Sequence, residues 1–222
     1  MFIIICNSGI PATSFINSAR NETGENRVLH HPWHVSLVLH GENSPFCAGT
    51  LISDVHILTA AHCMNNKSPS EFVAIVGDYD WESDSTQYRY NVKKIQNHYD
   101  YKQNSMDHDI AIITLDEKVE FRANQHPACL PRSTNFKDRG LRMNKFTVSG
   151  WGTERTEDGR PIALRSIDLD YQPWKICRDI MKRRKLRITW RSFCSADGLN
   201  EDVSACAGDS GGRTNSLYLV VL

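Results

Sequence analysis

The sequence has no excess of charge of either sign, because 26 Lys and Arg residues balance 26 Asp and Glu residues over 222 positions. A balanced chain lacks the basic field that draws proteins to nucleic acid or to an anionic membrane, so neither partner is expected. It also lacks a long apolar run at its start, since residues 1–5 are too few for a signal peptide or a membrane helix. We therefore expect either a missing true N-terminus or a piece of a longer chain.

The seven cysteines contain no Cys-x-x-Cys pair, so the spacing typical of a zinc site is absent. Scattered cysteines in this number favour disulfides and an oxidising compartment. Their odd count leaves at least one thiol without an internal partner. Glycosylation sequons begin at Asn21 and Asn66 and are compatible with secretion.

Short strand-like runs separated by turn residues dominate the chain after Pro32, whereas residues 1–28 lack periodicity and are typical of a loop. A helix is predicted after Pro173, and the basic run 182–187 is expected to be a solvated helix end or loop, the alternative being a site for an acidic partner. Many short strands with one late helix indicate an all-β barrel or sandwich. The strand-like runs, rich in β-branched and aromatic residues, are 35–39, 72–76, 88–95, 110–115 and 167–171.

Three short segments carry groups suited to amide hydrolysis: Ala-Ala-His at 60–62, Asp-His-Asp at 107–109 and Gly-Asp-Ser-Gly-Gly at 208–212. Such a reaction needs a nucleophile, a base, a group that orients the base, and paired donors for the oxyanion. A glycine before Asp-Ser allows a tight turn, so that the Gly208 and Ser210 N–H groups can point into one site. Each segment alone is typical of an ordinary turn or strand end. Their joint occurrence in the order His, Asp, Ser favours the catalytic interpretation.

With these segments the chain resembles the chymotrypsin/trypsin family of serine proteases. The resemblance implies that Ser210 attacks the scissile carbonyl, His62 carries the proton and Asp109 holds the imidazole tautomer. The family motif Asp-Ile-Ala selects Asp109 rather than Asp107. The resemblance extends from about residue 6 to residue 222, with further matches at 32–37, 47–52, 127–131 and 150–152 and a weaker likeness to the neurotrypsin branch at 76–79.

The same resemblance implies two packed antiparallel six-stranded β-barrels with the site in the cleft between them. Residues 1–20 would form a leader tethered through Cys6, and residues 21–222 the protease domain, with the second barrel incomplete at its C-terminal end. The implied activity is that of a secreted endopeptidase without cofactor or metal, acting on proteins or peptides and meeting protease inhibitors and an activating protease. The implied disulfides are Cys47–Cys63, Cys177–Cys194 and Cys6–Cys129, which leave Cys206 over.

Two features depart from the family pattern. The expected activation cut follows Arg20 and would free Asn21 rather than an apolar residue, although that amine has to pair with Asp209 in the interior. Few residues follow Ser210, so the chain is expected to be truncated, to be of low stability and to have little peptidase activity alone. The resemblance also places Ser204 at the base of the specificity pocket, where a neutral residue would favour apolar or aromatic side chains over basic ones. A non-catalytic protease-fold binding module, or an inactive truncated product, therefore stays open as the alternative.

Overall fold

The structure is a computed structural model, and it describes residues 32–42, 44–77, 88–104, 107–122, 124–130, 145–150, 165–183, 192–196 and 218–221. Within these residues, two antiparallel sheets carry the fold, and there is a single α-helix. The predicted all-β class is confirmed. The expected strands also appear at or close to the predicted positions, because their runs of β-branched and aromatic residues suit a pleated, buried surface.

Six strands in the first half form a closed antiparallel barrel. Their order around the barrel is β1-β2-β3-β6-β5-β4, and β4 pairs with β1 to close it. Closure leaves no unpaired strand edge in this sheet. The strands are β1 His34–Leu39, β2 Cys47–Leu51, β3 His56–Thr59, β4 Phe72–Val76, β5 Tyr88–Asn97 and β6 Ala111–Leu115.

The barrel core is apolar and tightly packed. Leu37, Ile57, Phe72 and Ile113 are fully buried in one cluster. Gly49 in β2 is required by close packing, since a Cβ there would lie 2.5 Å from Cγ2 of Ile57. Burial of this cluster, at about 25 cal/mol per Å² of apolar surface, is the main source of stability for the barrel.

Strand β1 is covered on both faces. Its sequence places Val35 and Leu37 on one face and Ser36 and Val38 on the other, and all four side chains are fully buried. The alternation in the sequence therefore marks two faces, but it does not separate an inner face from a solvated one.

The second half contributes a four-stranded antiparallel sheet in the order β10-β9-β8-β7. The strands are β7 Lys145–Gly150, β8 Arg165–Gln172, β9 Ser192–Ala196 and β10 Tyr218–Val221. The first of the two expected barrels is thus present with all six strands, and the described residues of the second half give four strands of the other sheet.

Helix α1 runs from Trp174 to Arg183, as predicted from the residues after Pro173. Pro173 precedes it, and the Pro173 carbonyl accepts the Cys177 N–H at 3.0 Å. The helix buries Cys177 and Met181, one turn apart, and it exposes Lys182 and Arg183 at its end. In the part of the chain that the structure describes, no helix has the length and apolar character needed to cross a membrane.

Candidate active site

His62 lies in a short 3₁₀ helix, Ala61–Met64, that begins after a single linking residue at the end of β3. The next residue, Cys63, forms a disulfide with Cys47 at the start of β2, with the two Cα atoms 6.2 Å apart. This is the first bridge that the family resemblance implied. Because the bridge fixes the residue adjacent to His62 to the barrel wall, the backbone that carries the imidazole is held in place.

Asp109 lies two residues before β6, and the sheet brings it to His62. Strands β3 and β6 are antiparallel neighbours, with Thr59 opposite Ala111. In an antiparallel pair, the residues after one strand lie beside the residues before its partner. The segment that follows Thr59 therefore meets the segment that precedes Ala111. His108 has a left-handed backbone, with φ 55°, and the Ile110 N–H donates to the His108 carbonyl at 2.7 Å in the same turn.

The Asp109 carboxylate accepts two hydrogen bonds from the same residue. Its Oδ2 is 2.6 Å from Nδ1 of His62, and its Oδ1 accepts the His62 backbone N–H at 2.7 Å. The Asp109 side chain is only 5% exposed, whereas that of His62 is 19% exposed. Pairing with a carboxylate places the imidazole proton on Nδ1, so the Nε2 lone pair is available to take a proton.

The second ring nitrogen of His62, Nε2, lies close to the Cys47–Cys63 disulfide. Nε2 of His62 lies 3.6 Å from Sγ of Cys63, which is a weak acceptor at most. A proton accepted at Nε2 would form an imidazolium beside the buried Asp109 carboxylate, which stabilises it. The arrangement can thus act as a general base and then as a general acid.

Tyr101 and Asn65 lie beside the pair, and neither belongs to a sequence motif that would have predicted it. Nδ2 of Asn65 donates to the Tyr101 hydroxyl at 3.1 Å. Burial raises the pKa of Tyr101, and the charge of Asp109 adds to that increase. The phenol therefore stays neutral at physiological pH, and Tyr101 packs against the barrel core.

Among the described residues, two groups of side chains could hold a metal ion. The first contains Cys47, His62 and Cys63, but the two sulfurs are joined to each other and offer no thiolate. The second contains His98, Asp100 and His108, which are not part of the His62–Asp109 pair. Among the described residues, the second group is the one in which no candidate ligand atom is part of a disulfide.

The structure brings together two of the predicted catalytic residues, His62 and Asp109. Cys177 is in a disulfide, while its pairing with Cys194 and the pairing of Cys129 with Cys6 stay predictions. The other predicted site residues lie outside the described residues, namely Arg20, Asn21, Ser204, Gly208, Asp209 and Ser210.

A closed antiparallel barrel that holds a buried Asp against Nδ1 of a His is the arrangement that β-barrel serine hydrolases have between the acid and the base of their triad. A family model described as Trypsin matches residues 21–215. The chain therefore belongs to the chymotrypsin/trypsin family, whose members are serine proteases. The match does not test the neurotrypsin branch.

Proposed function

We propose that this protein is a secreted serine endopeptidase in which His62, Asp109 and Ser210 form the catalytic triad. The observation that carries the proposal is the 2.6 Å contact between Nδ1 of His62 and Oδ2 of the buried Asp109. A structural ion pair would satisfy the carboxylate equally well, but the family match and the Gly-Asp-Ser-Gly-Gly segment add a nucleophile in the order that the family uses.

In the proposed reaction, Oγ of Ser210 attacks the scissile carbonyl carbon while Nε2 of His62 takes the hydroxyl proton. The carbonyl oxygen becomes an oxyanion that accepts hydrogen bonds from the Gly208 and Ser210 N–H groups. His62 then gives its proton to the leaving amine, which yields an acyl-enzyme. Water repeats the sequence and releases the acid. Asp109 stays ionised throughout and stabilises the imidazolium.

The substrate is a protein or peptide, and no cofactor is required by this chemistry. Ser204 would give the specificity pocket a neutral base, which suits a large apolar or aromatic residue before the cut. Activation by another protease after Arg20, the pairing of the new terminus with Asp209, and control by protease inhibitors belong to the same proposal. Secretion agrees with the Cys47–Cys63 bridge, because structural disulfides persist in oxidising compartments.

The test is reaction of the secreted full-length chain with a fluorophosphonate probe, before and after treatment with trypsin. We expect covalent labelling of Ser210, located by mass spectrometry of the labelled peptide, and slow hydrolysis of a peptide with an apolar residue before the cut, in keeping with the low peptidase activity expected of this chain alone. Ser210→Ala is the matched control and should lose both signals. A folded chain that does not react with the probe after trypsin treatment, or a Ser210→Ala variant that reacts equally, would refute the proposed function.

A further inference from the structure

Two imidazoles and one carboxylate meet where β5 ends and β6 is about to begin. His98 follows the last residue of β5, and Asp100 lies two residues further on. His108 comes from the other side of the connection, before β6. The antiparallel register pairs Asn97 with Ala111, and the His98 N–H donates to the Ile110 carbonyl at 2.9 Å. The sheet itself therefore holds the two histidines side by side.

The three side chains lie within reach of a single ion. One ligand atom from each of His98, Asp100 and His108 lies within 4.8 Å of the others. The two imidazole rings are stacked, with centroids 4.6 Å apart and planes 20° from parallel. Zinc–nitrogen bonds of about 2.0–2.1 Å place the ligands of a tetrahedral site about 3.3 Å from one another. Small side-chain rotations close the remaining gap, and all three residues are only half-buried.

The Nδ1 atoms of the two imidazoles differ in their surroundings. Nδ1 of His98 accepts the Asp100 backbone N–H at 3.1 Å, so that nitrogen carries no proton. A metal that takes this lone pair replaces one hydrogen bond and leaves the ring proton on Nε2. Nδ1 of His108 is buried and has no hydrogen-bond partner among the described residues. Its nearest charged neighbour is Oδ1 of Asp107, at 3.7 Å.

An unsatisfied buried nitrogen requires an explanation, because leaving it without a partner is unfavourable. A metal ion would satisfy Nδ1 of His108, and the negative charge of Asp107 beside it favours a cation. On the outer side, the ring of Tyr99 stacks on His98 with centroids 4.7 Å apart and restricts its rotation. The cluster thus has ligand atoms, an unmet bonding need and a charge of the right sign.

We propose that His98, Asp100 and His108 bind a zinc ion, with water completing the coordination. Imidazole and carboxylate ligands suit zinc, and three protein ligands with an open position are typical of zinc sites that are not purely structural. The cysteine spacing in the sequence does not indicate zinc, and no metal was expected. This cluster was not predicted because the ligands converge only through the register of β5 and β6.

The test is calorimetric titration of the full-length chain with zinc chloride, on wild type and on variants of the cluster. We expect one zinc ion per chain. Loss of an outer-shell partner alone typically weakens metal binding 10–100-fold, so His98→Gln and His108→Gln should each weaken it at least about 10-fold. His126→Gln is the matched control, because His126 is an exposed histidine outside the cluster. It should change the affinity by less than about 2-fold.

Asp100→Asn removes a proposed zinc ligand but keeps both stacked imidazoles and the backbone N–H. Weaker zinc binding by this variant could therefore not be attributed to loss of the ring stacking. Zinc should raise the melting temperature of the wild type and of His126→Gln, but raise that of Asp100→Asn much less. His62→Gln should still bind zinc, because the cluster does not use His62. Absence of stoichiometric binding to the folded wild type, or equal binding by the cluster variants, would overturn the proposal.

Discussion

Replacement of Asp109 by asparagine should separate catalysis from stability. The amide oxygen can still accept the His62 backbone N–H, which Asp109 Oδ1 now accepts at 2.7 Å. The amide NH₂, however, would face Nδ1 of His62 in place of the carboxylate oxygen at 2.6 Å. A donor facing Nδ1 drives the ring proton onto Nε2, so the nitrogen that should accept the Ser210 proton already carries one.

The size of each effect follows from these two contacts. One charge-assisted hydrogen bond is lost and one is weakened, which corresponds to about 1.5–3 kcal/mol in the free energy of unfolding. The wrong tautomer costs far more in catalysis, since triads of this type lose about 10⁴-fold in kcat, or about 5.5 kcal/mol in the activation barrier. KM should change little, because Asp109 does not contact the peptide in the proposed mechanism.

The measurement is steady-state hydrolysis of a peptide with an apolar residue before the cut, together with urea denaturation of the same preparations. Asp107→Asn is the matched control, because it removes the same charge two residues away, where Oδ1 of Asp107 lies 3.7 Å from Nδ1 of His108. We expect that control to retain activity within about 3-fold of the wild type. If Asp109→Asn kept more than about a tenth of the wild-type kcat, the tautomer argument would be wrong.

Two further predictions concern the barrel. Gly49→Ala should lower the free energy of unfolding by about 1–3 kcal/mol in urea denaturation, because the new methyl overlaps Ile57, and most of that loss should vanish in an Ile57→Ala background; equal losses in both backgrounds would rule out this contact as the cause. Burial raises the pKa of Tyr90 above 10.0, so the neutral phenol stabilises the fold fully below pH 10, and that stability is lost as pH rises through the folded-state pKa. Tyr90→Phe should therefore show a smaller fall in melting temperature between about pH 8 and pH 11 than the wild type; an identical fall would show that the alkaline loss arises elsewhere.

The sequence predicted the His62–Asp109 pair because both residues lie in short, specific segments at strand ends. The antiparallel pairing of β3 and β6 then needs only to bring those ends together. The strands were predictable for a related reason, since a buried run such as Phe72–Val76 consists mainly of β-branched and aromatic residues.

What the sequence did not predict depends on register and on backbone atoms. The meeting of His98 with His108 requires Asn97 to pair with Ala111, and no local pattern specifies that pairing. The second hydrogen bond to Asp109 comes from a main-chain N–H, which every residue has, so side-chain identity carries no information about it. The burial of Ser36 on the second face of β1 likewise depends on the elements that pack over the strand, which the local sequence does not specify.

The closure of the first barrel has a consequence for how the site can open. His62 and Asp109 emerge from adjacent strands of a sheet that has no free edge, and the main-chain amide of His62 is bonded to the carboxylate. Proteins often open locally by fraying of an edge or terminal strand, but every strand of this barrel is paired on both sides, so it has no edge strand that can fray. The His62 amide should therefore exchange its hydrogen with solvent about as slowly as the amides of the barrel core. Its exchange rate would show whether the His62–Asp109 pair opens only when the whole barrel unfolds.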